Sequence, residues 1–152
     1  MEAGPLFPEV ELARFLQGRD GEGAVASFTG LMRPTSKAGD PVETLELDWY
    51  PGVTEASIQA IAEDAAGRFE VGDVLVVHRC GTIRPREAIV FVAVSARHRR
   101  SAFEAADYLM DRLKTDAAFW KREDGATGSA WIEPTERDRA DRARWPNDEH
   151  QE

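Results

Sequence analysis

Six consecutive apolar residues, Ile89-Val-Phe-Val-Ala-Val94, constrain this chain more than any other stretch. A strand without polar alternation has to be covered on both faces. Val74 to His78 is a shorter apolar run of the same kind, and Arg84-Pro85-Arg86-Glu87 makes the turn between the two. Directly after the longer run come Arg97-His98-Arg99-Arg100, and then Ser101 and Glu104 at capping-box spacing. That spacing predicts a helix from Ser101 to about Thr115, with Ala102, Phe103, Ala106, Leu109, Met110 and Leu113 on its buried face.

The other segments read as shorter elements. Pro8 to Gln17 has Val10, Ala13 and Leu16 on one apolar face, with Leu12 and Phe15 beside them and Gly18 as a stop. Residues 23–29 form a β-type run closed by Gly30, followed by a loop rich in Pro, Ser, Gly and Lys up to Pro41. In Val42 to Tyr50, Leu45, Leu47 and Trp49 alternate with Glu46 and Asp48, as in a half-buried strand ended by Pro51-Gly52. Thr54 is the expected cap of a helix reaching Phe69, with Ile58, Ile61, Ala62, Ala65 and Phe69 inward. Ala130 to Ile132 is a last short strand. Interspersed strands and helices, with hairpin-like joins at 50–52 and 80–88, predict a single α+β domain over residues 1–133 with a mixed sheet and flanking helices. From Pro134 the composition turns to Arg, Asp and Glu, which reads as a solvated or disordered tail over residues 134–152. Trp145 is the one aromatic in it with reason to dock.

Composition excludes several classes of function. No run approaches the roughly 18 apolar residues of a membrane span, and the first residues lack the basic and apolar regions of a secretory signal. Cytoplasm is therefore the expected location. Cys80 is the only cysteine, so neither an intrachain disulfide nor a cysteine-rich metal site is available. A pI near 4.9 argues against general nucleic-acid binding.

Within this acidic chain of net charge −9, the stretch from Arg79 to Arg122 carries ten Lys/Arg against five Asp/Glu. A cationic centre in an acidic protein points to a local anion site. His98 and Arg99, at a strand-to-helix junction, combine a permanent planar donor with a group that can shuttle a proton. Lys114 flanks the buried stripe of its helix, and Lys121 follows the aromatic pair Phe119-Trp120. Lysines near other cations lose their protons more readily and can act as base or nucleophile. Arg33 opens the loop after Gly30, where chains commonly reach ligands. Cys80 lies among His78, Arg79 and Gly81 and reads either as a thiolate or as a small half-buried residue. These residues describe an anion-binding α+β domain with lysine chemistry available, and no further.

Seven ordered landmarks carry a more specific message. F-T-G-L-M-R (28–33), L-D-W-Y-P-G-V-T-E (47–55), V-H-R-C-G (77–81), I-V-F-V-A-V-S-A-R-H-R (89–99), S-A-F-E-A (101–105), Y-L-M-D-R-L-K-T (108–115) and F-W-K-R-E (119–123) resemble the large, catalytic subunit of molybdopterin synthase. The resemblance spans about Gly23 to Glu133 and implies an α/β hammerhead-type fold. It implies an enzyme, a sulfurtransferase that converts cyclic pyranopterin monophosphate to molybdopterin by installing a dithiolene. Sulfur would arrive as a thiocarboxylate on the C-terminal glycine of a small ubiquitin-like carrier subunit. Two copies of the large subunit would form the core of a heterotetramer.

Carried over by position, the resemblance assigns Lys114 and Lys121 as catalytic. It assigns Arg33, His98, Arg99, Lys114, Lys121, Arg122 and Glu123 to substrate binding, and it calls for no metal and no cofactor. Leu31 departs from relatives that carry lysine there. The competing reading is a non-catalytic module that binds a ubiquitin-like tail or a phosphorylated pterin. Two placed amines favour the enzyme, because a binding module needs cations but not amines.

Overall fold

The computed structural model describes residues 1–146. In chain order it contains α1 (Pro8–Leu16), β1 (Ala24–Leu31), β2 (Thr44–Trp49), α2 (Val53–Arg68), β3 (Val74–His78), β4 (Gly81–Ile83) and β5 (Ala88–Ala96). These are followed by α3 (Arg99–Thr115), β6 (Phe119–Gly125), β7 (Gly128–Ile132) and α4 (Glu136–Ala143). The α+β class holds, but the strands form two sheets, ordered β1-β5-β3 and β4-β2-β6-β7. Every pairing of these strands is antiparallel, where a mixed sheet was expected. Only β6 and β7 are joined by a two-residue turn that returns the chain antiparallel to itself, and the expected hairpin-like join at 50–52 leads into α2 instead.

The apolar run is the spine of the first sheet, as its composition requires. Val90, Val92, Val94 and Ala96 of β5 pack with Ile61 and Ala65 of α2 and with Ala102, Ala105, Ala106, Tyr108, Leu109 and Leu113 of α3. The alternate residues Phe91 and Ala93 face Leu6 and Phe15 on the other side, and Ala88 joins them beyond the register shift at Gly30/Leu31. The period of two therefore sends neighbouring residues of one strand into two cores. A charge placed at Val92, which is fully buried, would have no partner and would unfold this layer.

The helix boundaries and faces differ from the sequence reading in instructive ways. Gly52, at φ 83°, is the N-cap of α2, and Thr54 lies within the helix. The Thr54 hydroxyl accepts from the Tyr50 amide at 2.9 Å and donates to the Ala118 carbonyl at 2.7 Å, so it ties α2 to the entry of β6. α3 starts at Arg99, before the Ser101 capping box, with His98 as N-cap. Its buried stripe includes Tyr108 and Asp111, while Phe103 is exposed. In α1 only Phe15 is buried, and Val10 and Leu16 face outward.

β6 was not foreseen. Its sequence, FWKREDG, lacks apolar alternation because one face carries Lys121 and Glu123 into a cleft instead of a core. Nor is the stretch from Pro134 to Pro146 disordered, although none of its residues is buried. Thr135 and Asp138 form a reciprocal capping box that starts α4. That helix packs on α3 through Arg142–Asp116 at 2.9 Å and Arg144–Asp111 at 2.7 Å. Asp138, Arg142 and Arg144 of this segment find partners on α3 and at its C-cap, which a composition argument cannot see. Trp145 docks, and residues 147–152 of the expected tail lie outside the described residues. Among the described residues no helix is long and apolar enough to cross a membrane.

Candidate active site

The second sheet sets up the site by strand register. Lys121 of β6 pairs with Leu47 of β2 and Ile132 of β7, and Glu123 pairs with Leu45. Directly paired residues share a face, so Lys121 and Glu123 point to the side where Leu45 and Leu47 are buried. Arg122, between them, points the opposite way. It bonds Asp124 at 3.0 Å and lies over the Trp131 ring at 5.7 Å from its centroid. The K-R-E triplet is thus split: two of its residues reach the cleft and the third braces the outer face.

Lys114, in the last turn of α3, meets Lys121 across a pocket of about 270 Å³ whose lining also includes Leu113, Phe119, Ile132 and Asp138. The pocket adjoins a groove of about 730 Å³ to which Arg33, Lys37, Glu123 and Arg137 contribute, along with both lysines. Arg33 and Lys37 come from the loop after β1. The groove is the size of a small-molecule site, with cations contributed by four separate segments.

Electrostatics distinguishes the two lysines. Burial holds the Lys121 amine below the ordinary lysine range; nearby Lys114 adds to this, Asp138 opposes it and Lys37 adds again. Lys114 is about half exposed and pairs with Asp138 at 3.3 Å. Burial works against the Asp138 carboxylate, yet the Thr135 hydroxyl at 2.6 Å, the Thr135 amide at 2.8 Å and Lys114 bring it down to about 2. Asp138 is therefore a fixed negative charge at neutral pH. Behind Lys121, His78 of β3 is buried, stacks on Phe119 at 4.2 Å and hydrogen-bonds the Arg79 carbonyl at 2.8 Å. Burial first, and then the positive charge of Lys121, lowers its pKa to about 4, so it stays neutral.

His98 and Arg99 do not join this cleft within one chain. They are exposed at the start of α3, while Lys114 stands near its end. Fifteen residues at ~1.5 Å rise separate Arg99 from Lys114 by roughly 22 Å along the axis. The first turn of α3 contains Arg99 and Arg100 and no acidic residue. Cations at a helix N-terminus are unfavourable by themselves and become favourable when an anion is bound there.

Cys80 is buried, and burial pushes its thiol up, which argues against the thiolate reading. Sequence reasoning missed Asp138, Lys37 and Arg137. The Thr135-Glu-Arg-Asp138 spacing was the available signal for α4 and its carboxylate. Among the described residues no cluster of three or more His, Cys, Asp or Glu side chains is arranged to hold a metal.

Residues 3–116 match the family model described as MoaE protein. The chain is 55% identical over 141 residues to the molybdopterin synthase catalytic subunit of Caulobacter vibrioides, covering 93% of this chain and 92% of that one. Among solved structures it superposes with a TM-score of 0.78 on the molybdopterin biosynthesis MoaE protein of Burkholderia ambifaria, at 37% identity, covering 94% of this chain and 93% of that one. It also matches molybdopterin synthase of Staphylococcus aureus, with a TM-score of 0.75 at 30% identity, covering 84% of this chain and 91% of that one.

Proposed function

The chain belongs to the MoaE protein family, and we propose from that premise how it works as the catalytic subunit of a molybdopterin synthase. The reaction moves sulfur from a thiocarboxylated ubiquitin-like carrier onto cyclic pyranopterin monophosphate. The thiocarboxylate sulfur forms a bond to a pterin side-chain carbon, and a ring oxygen leaves with its electron pair. Water then cleaves the acyl–sulfur bond, leaving sulfur on the pterin and a carboxylate on the carrier. A dithiolene needs a second transfer, because each thiocarboxylate carries one sulfur; there the sulfur bonds the neighbouring side-chain carbon, whose oxygen leaves as water.

The observation that carries this reading is the convergence of Lys114, Lys121, Arg33 and Glu123 on one cleft. Lys121, whose proton is loosened by burial, is suited to accept or deliver protons as the acyl group is attacked and hydrolysed. Lys114, paired with Asp138 at the mouth, is suited to present its amine to the carrier's terminal carbonyl. Arg33 is suited to the phosphate and to the charge that develops as the cyclic phosphate opens.

His98 and Arg99 serve the same phosphate from a second copy of the chain. They lie a helix length away within one copy, and the α3 N-terminus gains by binding an anion. A dimer core with one carrier at each end, and a location in the cytoplasm, complete the proposal. On the outer face, Arg122 supports the strand that holds Lys121. The test is to mix the protein with thiocarboxylated carrier and cyclic pterin and to assay dithiolene. No product from a folded, assembled complex would overturn the reading.

A further inference from the structure

We infer that Asp138 is a positioning residue for sulfur transfer, a fixed counter-ion that α4 delivers to the two lysines of the cleft. This rests on the proposed sulfur transfer for its consequence, but the geometry stands apart from it. The Asp138 carboxylate takes three hydrogen bonds within the site's wall: from the Thr135 amide at 2.8 Å, from the Thr135 hydroxyl at 2.6 Å and from Lys114 Nζ at 3.3 Å. Its own amide donates to the Thr135 hydroxyl at 3.1 Å. The side chain is therefore held from both ends of a capping box, with its outer oxygen turned to the amine.

An ordinary capping residue would stop there. Asp138 also lines both the pocket and the groove next to Lys114 and Lys121. Two amines that share a small pocket repel each other when both are charged. A carboxylate bonded to one of them allows both to stay in place, fixes which way Lys114 points, and offsets part of the repulsion felt by Lys121. The other charged or titratable groups around the amines are Arg33 and Lys37 after β1, His78 on β3, Glu123 on β6, Glu133 after β7, and Arg137 and Asp141 on α4. None of them is hydrogen-bonded to Lys114, whose side-chain partner is Asp138.

The test uses Asp138→Asn and Asp138→Glu in the full chain with its carrier. Asparagine keeps an acceptor for the Thr135 amide but loses the charge; glutamate keeps both the cap and the charge. The first readout is the pH dependence of amine labelling at Lys121, followed by mass spectrometry without any substrate. Removing the negative charge should move the labelling midpoint of Lys121 to lower pH, by about half to one pH unit, and glutamate should restore it. The second readout is turnover, with kcat expected to fall roughly tenfold in the asparagine variant and the carrier KM little changed.

A Lys121 profile that is the same in parent and Asp138→Asn overturns the inference whatever turnover does. If the asparagine variant fails to fold, Asp138→Ser takes its place in the same labelling comparison. Parent protein that makes no dithiolene counts against the proposed function instead, so the two failures are told apart.

Discussion

Trp145 donates its indole N–H to Asp111 at 2.7 Å, and its ring meets Phe69 and Tyr108 edge-on at centroid distances of 5.8 and 5.5 Å. The last described turn of the chain is thereby locked to α3 near the first sheet's core. Between this anchor and β7, the helix α4 is held at both ends, and Asp138 is held with it. Trp145 thus joins Arg142–Asp116 and Arg144–Asp111 in holding α4, and Asp138 with it, against α3.

Trp145→Ala should therefore cost both. Losing the aromatic packing and the indole bond to a carboxylate should destabilise the fold by about 2–4 kcal/mol, read from urea unfolding. Turnover should drop at temperatures where the variant is still folded, because α4 loses its anchor. A variant with lowered stability but parental kcat would uncouple α4 from the site.

How far the sequence alone reaches is clear from particular residues. The two-faced burial of β5 is readable because six apolar residues admit no other solution in water. β6 was invisible for the opposite reason: its inward side chains, Lys121 and Glu123, serve a cleft, so the hydrophobic alternation that marks a strand is missing. Lys114 and Lys121 were identified as residues, but their difference was not, since it comes from burial and from Asp138, 24 positions after Lys114. His98 and Arg99 share a substrate-binding assignment with the lysines, and within one chain the length of α3 separates them.

His78 gives a stability prediction free of catalysis. Burial holds it at about 4 in the fold, against roughly 6.5 for an unfolded chain. Between those values the unfolded chain takes up a proton that the folded one refuses. The contribution is whole above about pH 6.5 and is lost as pH falls toward 4, by about 3 kcal/mol in all. His78→Phe keeps a ring against Phe119 and cannot titrate. Its stability should fall less steeply over that window, whatever its absolute value at neutral pH, and parallel curves for parent and variant would contradict the assignment.

If Arg99 of one copy completes the cleft of another, two inactive variants should rescue each other. Arg99→Ala and Lys114→Ala dimers should each be nearly inactive. Mixed dimers formed by unfolding and refolding them together contain one cleft with every group intact and should recover up to about half of the parental rate per mixed dimer. Arg99→Ala alone should also weaken pterin binding by ~1.5–3 kcal/mol in calorimetry, the range of a charge-assisted bond, while carrier binding stays put. Absence of any recovery in verified mixed dimers would place Arg99 outside the shared site.

The final test concerns the amine of Lys114. Arginine at this position keeps the positive charge and can still pair with Asp138, but its pKa above ~12 prevents it from losing a proton readily. If Lys114 works as an amine at the carrier's terminal carbonyl, Lys114→Arg should be nearly as inactive as Lys114→Ala, with both folded and both binding the carrier. A purely electrostatic role gives the opposite order, with arginine largely restoring the rate. Single-turnover measurements at saturating carrier separate these outcomes, because they remove carrier affinity from the comparison. Near-parental turnover in the arginine variant would leave Lys114 as a holder of charge and assign all proton transfer in the cleft to Lys121.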